Sequence, residues 1–81
     1  MNFAAASVRS ELDAALLAAH ARDDRRALAR LYAQAGDAAE ATGEIDACCF
    51  YLTHAYVFAL QTGDASAAGL HARLKAYGRE E

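Results

Sequence analysis

The sequence predicts an all-α protein. Alanine, the strongest helix former, supplies more than a quarter of the 81 residues, and proline, the strongest helix breaker, is absent. Apolar residues recur at three- and four-residue spacing through four segments. Short turns bearing glycine or aspartate separate those segments. A chain of this length suits one small domain, here residues 1–81.

The first helix is predicted from about Ser7 to Ala21, and the preceding alanine run allows an earlier start. Val8, Leu12, Ala15, Leu16 and Ala19 form one stripe, with Ser7 or Asn2 as the candidate cap. Asp23 and Asp24 supply the next N-cap and favour the positive end of a helix dipole. The second helix then places Leu28, Leu31, Tyr32, Ala35, Ala38, Ala39 and Thr42 on one face. That pattern runs straight through Gly36-Asp37. A mid-helix glycine costs only about 1 kcal/mol relative to alanine, so one long helix to Gly43 is expected. Gly43 closes the periodic run and suits a left-handed C-cap.

The third helix, about Ile45 to Thr62, carries two apolar sets. One is Ile45, Cys48, Cys49, Leu52, Ala55, Tyr56 and Ala59. The other is Phe50, Tyr51, His54, Val57 and Phe58. A helix apolar on two sides is central to its fold or touches another chain. Gly63 ends it, and Asp64 is the expected cap of a fourth helix running to about Tyr77. Ala67, Leu70, Leu74 and Tyr77 share a face there, Gly78 ends the helix, and a frayed Arg79-Glu80-Glu81 tail follows. Turns this short make sequential helices antiparallel neighbours.

The formal charge of −3 disfavours a nucleic-acid partner, which normally meets a basic excess. No apolar run reaches the length of a membrane-spanning helix, so no membrane is expected. Arg9, Glu11 and Asp13 interrupt any signal-peptide core, and adjacent Cys48 and Cys49 make no disulfide framework. A cytoplasmic protein is the expectation. Alanine buries little area per residue, at about 0.8 kcal/mol per CH₂. An alanine-rich core therefore favours further burial, by self-association or by a partner.

The turns also carry a repeated signature. Leu28-Ala29-x-x-Tyr32 precedes Gly36-Asp37, and Gly43-Glu44 and Gly63-Asp64 each open an alanine-rich helix. This resembles the tetratricopeptide-repeat (TPR) family, whose helix pairs use a Leu-Gly/Ala-x-x-Tyr pattern and small residues where helices cross. After Gly43-Glu44, Cys48 and Ala55 match the small positions and Leu52 the aromatic one. After Gly63-Asp64, Ala68 and Ala72 match the first two, and Lys75 departs at the last. The expected tryptophan and closing proline are absent. The glycine turns stand 20 or 27 residues apart, against about 34 in that family. The resemblance implies four antiparallel helices in TPR-like hairpins, a short right-handed solenoid fragment of about two helix pairs.

Candidate chemistry is sparse. Zinc-binding cysteines converge at C-x₂₋₄-C spacing, whereas neighbours on a helix diverge by about 100°. Cys48 and Cys49 therefore read as small buried apolar residues. His20, His54 and His71 fall on three helices without supporting carboxylate spacing. Glu40 and Glu44 repeat at four-residue spacing on an exposed side without convergent partners. Arg22, Arg26 and Arg30 repeat at four-residue spacing, read as one face of the second helix that grips an acidic partner or is simply solvated. No phosphate loop, nucleophile elbow or triad spacing is present.

The expected function is a non-enzymatic protein–protein interaction or adaptor module, most simply a homodimer. Its partner-binding residues are Phe50, Tyr51, His54, Val57 and Phe58, with Arg22, Arg26 and Arg30 for orientation. The third-helix aromatics either pack on the first and fourth helices or face another chain. No cofactor is implied. The alternative is a small bundle binding a metal or small ligand through His54, Cys48 and Tyr51.

Overall fold

A computed structural model describes residues 3–80, with side-chain surroundings given from Arg9 onward. These residues form four helices and no strand. They are α1 (Phe3–Arg22), α2 (Arg25–Ala41), α3 (Ile45–Thr62) and α4 (Ala67–Ala76). The all-α class is observed. Helix α2 passes through Gly36, and α3 has the expected bounds.

Two boundaries differ from expectation. Helix α1 begins at Phe3, so Ser7 sits inside it rather than at its edge. Asn2 and the Val8 side chain lie outside the described residues. Helix α4 begins only at Ala67, because the Asp64 carboxylate accepts the Ser66 backbone N–H at 2.8 Å and holds a separate turn first.

One junction is built three times. Asp23, Gly43 and Gly63 adopt left-handed φ angles of 53°, 76° and 66°, at 20-residue intervals. The next N–H then bonds back to a buried alanine carbonyl. Asp24 reaches Ala19 at 2.9 Å, Glu44 reaches Ala39 at 2.9 Å, and Asp64 reaches Ala59 at 2.8 Å. This satisfies carbonyls that a helix end would otherwise orphan. At the first junction Asp24 also caps α2, accepting the Ala27 N–H at 3.1 Å.

Successive helices run antiparallel. Leu28 and Ala27 of α2 pack with Leu16 and Ala19 of α1, while Arg9 near the start of α1 pairs with Glu44 after α2. Tyr56 of α3 lies beside His71 of α4, and Asp46 at the start of α3 pairs with Arg79 after α4. The α2–α3 contact is the most extensive. It is close because Gly36 faces Leu52, and no larger residue would leave that space. Among the described residues, backbone packing joins only helices adjacent in sequence, and the Cα trace measures 37 × 31 × 15 Å, a thin slab.

Two buried clusters form the core. Leu16, Ala19, Ala27 and Leu28 join α1 to α2. Cys48, Cys49, Leu52, Ala55, Ala59, Leu70 and Leu74 join α3 to α4, with Ala29 and Ala39 from α2. Half-buried Tyr32 and Phe58 pack against both. The largest fully buried side chains are only Leu28, Leu52, Leu74 and Cys48. So small a core leaves little stability to spare.

Candidate interaction surface

Helix α3 supplies the surface. Its buried side carries Cys48, Cys49, Leu52, Ala55 and Ala59. These meet the neighbouring helices and account for the first apolar set. The second set divides. Tyr51, His54 and Phe58 are half-buried, whereas Phe50 is 59% and Val57 42% exposed. Leu60, on the same side, is 56% exposed. With Thr53 they make one solvent-facing stripe at positions 50, 53, 57 and 60, about 15 Å long at 1.5 Å per residue. From Ala47 to Gly63 the chain has no charged residue.

Beside the stripe lies an aromatic cluster centred on Tyr32 of α2. Its ring stacks with Phe58 at 6.0 Å and an 8° tilt. His54 lies 5.1 Å from it and Tyr51 6.3 Å. His20 of α1 shares a 2.9 Å hydrogen bond with the Tyr32 hydroxyl through Nε2 and meets Phe58 edge-on. His54 also meets Phe50 edge-on at 4.5 Å, so the cluster holds the inner end of the exposed stripe. His20 and His54 thus meet around one ring, although no periodic pattern links them. Leu60, Thr53 and Tyr32 are contributors that sequence reasoning missed. The three-four-three spacing of the stripe was the available signal.

The arginine row is not one face. Arg22 ends α1, and the left-handed Asp23 separates it from α2. Arg22 pairs with Asp24 at 3.5 Å. Only Arg26 and Arg30 share the solvent side of α2, and neither forms an ion pair among the described residues. Asp37 and Glu40 both bind Arg73 of α4, at 2.8 and 3.4 Å. Glu40 has convergent partners after all. The Tyr77 hydroxyl also donates to it. That bond holds the Glu40 carboxyl below its ordinary range and pushes Tyr77 up to about 12.

The trio proposed for ligand chemistry is not gathered. Cys48 and His54 are six residues apart on one helix, about 120° around it. Cys48 is fully buried, and burial raises its thiol pKa, the opposite of what a reactive thiolate needs. Cys49 is also buried and free. Among the described residues, no three histidine, cysteine or acidic side chains stand close enough to hold a metal ion.

The molecule also has a concavity that no motif in the sequence marks. A groove of about 260 Å³ opens between α1, α2 and α3. Ala35, Ala38, Ala39 and Ala47 form its floor, and Arg9, Asp13, Glu44 and Tyr51 stand at its rim. The alanines create it by failing to fill the space between helices. The 2.5 Å Arg9–Glu44 pair crosses it. No described helix is long and apolar enough to cross a membrane.

No protein-family model, no curated protein and no solved structure matches this chain.

Proposed function

We propose that this chain is a non-enzymatic cytoplasmic interaction module of TPR-like helical hairpins, acting through the outer face of α3 without a cofactor. The observation that carries this reading is the exposure of Phe50, Val57 and Leu60 on a helix side that has no charge. Large apolar side chains grouped on one face mark an interaction site more often than an ordinary surface. The backbone packing of sequential helices and the 20-residue junction repeat support the solenoid-like arrangement. Arg26 and Arg30 present positive charge on the adjoining helix, suited to orienting an acidic partner surface.

Oxidative footprinting tests the reading. Phe50 and Leu60 should be labelled readily in dilute purified protein and protected in intact cells. Equal labelling in both settings would show the face to be uncovered and would contradict the proposal.

The groove between α1, α2 and α3 supports a second reading, a small-ligand site at which Tyr51 and Asp13 are the polar contacts. A thermal-shift screen of small amines and amino acids would reveal it as ligand-dependent stabilisation of the folded state. A flat response, or one unaltered by Asp13→Asn, would count against it.

A further inference from the structure

Resting on the interaction-module reading, we propose that the occupant of the α3 outer face is a second copy of this chain, packed antiparallel about a two-fold axis at the level of residue 55 along the helix.

The stripe is its own mirror in spacing. Positions 50, 53, 57 and 60 are symmetric about 55. Two copies of α3 laid antiparallel across that point set Phe50 against Leu60 of the second copy, and Thr53 against Val57. Both pairs then occur twice, as an isologous interface requires. The three-four alternation is the seam spacing of helices that interlock side by side. A stripe with unequal spacing would meet its copy out of register.

Charge favours the same occupant. An uncharged stripe can meet its own copy without like charges facing across the seam. Between Ala47 and Gly63 there is no charge to repel. Just beyond the seam, the register sets Asp46 across from Asp64 of the second copy. Arg79 already sits on Asp46 at 2.6 Å and supplies the opposite charge at that meeting. Antiparallel α3 helices also oppose their dipoles favourably.

Size sets the strength. Four side chains on one helix cover less than the ~800 Å² per partner of a standard stable interface. Dimerisation is therefore expected in the micromolar range or weaker.

Sedimentation equilibrium on charge variants tests the register. Phe50→Glu and Leu60→Lys should each weaken dimerisation at least about tenfold, because each buries an unpaired charge. The double variant F50E/L60K should recover most of the loss, since each glutamate then faces a lysine of the other copy. Within one helix the two positions are about 15 Å apart, so recovery cannot come from an internal pair. Helicity, followed by circular dichroism, should be unchanged throughout. Should the charge variants unfold, F50C/L60C under mild oxidation replaces them, and a covalent dimer joined between positions 50 and 60 is the expected product. Weakening by both single variants without recovery in the double overturns the antiparallel register. A wild-type chain still monomeric at ~1 mM overturns the second copy as occupant. The module reading would then rest on the footprinting result, which either outcome here leaves independent.

Discussion

A β-carbon at Gly36 would lie 2.7 Å from Cδ2 of Leu52 and 3.0 Å from its Cγ, so α2 and α3 meet backbone against side chain. Leu52 is fully buried and has little room to turn aside. Gly36→Ala gains about 1 kcal/mol in helix propensity. Overpacking a filled site costs about 1–3 kcal/mol. A net loss of about 1 kcal/mol is expected for alanine, and a larger one for Gly36→Val. Urea denaturation of both variants checks this. A midpoint that rises for alanine would show the helices to be farther apart.

The repeated junction makes an opposed pair of predictions. Asp23 holds a left-handed φ of 53°, which costs an L-residue about 1 kcal/mol, whereas Gly63 holds 66° at no such cost. Asp23→Gly should therefore stabilise the chain by about 0.5–1 kcal/mol, the loss of its exposed 3.5 Å pair with Arg25 being minor. Gly63→Ala should destabilise it by about 1 kcal/mol. Thermal melts should shift in opposite directions by a few degrees. Shifts of the same sign would contradict the shared geometry.

Tyr32 joins the two core clusters, so its loss should act on α1 as well as α3. Tyr32→Ala should cost about 3 kcal/mol, the scale for deleting a large packed aromatic. Tyr32→Phe keeps the stack and loses only the His20 hydrogen bond, at about 1 kcal/mol or less. Amide hydrogen exchange should show α1 opening faster in the alanine variant. Unchanged protection in α1 would mean that Leu16 and Leu28 hold it without the aromatic bridge.

Acid should destabilise the fold in a defined window. The carboxyls of Asp24, Glu40 and Asp64 sit below their ordinary values of 3.8, 4.5 and 3.8. The causes are the Ala27 N–H, the Tyr77 hydroxyl and the Ser66 N–H respectively. A carboxyl whose folded pKa is lowered stabilises above its unfolded value and loses that effect as pH falls through the folded one. Stability should be flat from neutral to about pH 5 and decline below it. Tyr77→Phe should make the decline shallower, because it removes the leading cause at Glu40. Superimposable pH profiles of wild type and variant would contradict the Tyr77–Glu40 contact.

What was legible in the sequence follows from what repeats along one helix. The bounds of α3, the glycine stops at Gly43 and Gly63, and the passage of α2 through Gly36 all rest on periodicity and left-handed caps. The early start of α1 was ambiguous because its alanines extend the helix without marking its edge. Arg22 falls in line with Arg26 and Arg30 in the sequence because four-residue spacing runs unbroken across a junction whose turn residue is aspartate rather than glycine. The Tyr32 cluster, the Arg73–Glu40–Tyr77 contacts and the alanine-floored groove join residues from different helices. No single-helix period records such meetings. The α3 stripe was half legible. Phe50 and Val57 stood out as aromatic or branched, while Leu60 and Thr53 completed a face visible only once the opposite side was known to be buried.

Molar mass in solution, followed by light scattering from ~1 μM to ~1 mM, tests the central claim most directly. The account predicts a rise from the monomer's 8.6 kDa toward twice that value, shifted to at least about tenfold higher concentration by Phe50→Glu with helicity intact. A mass fixed at 8.6 kDa at every concentration would contradict it. An equal rise in the Phe50→Glu variant would also contradict it, because the association would then lie elsewhere on the molecule.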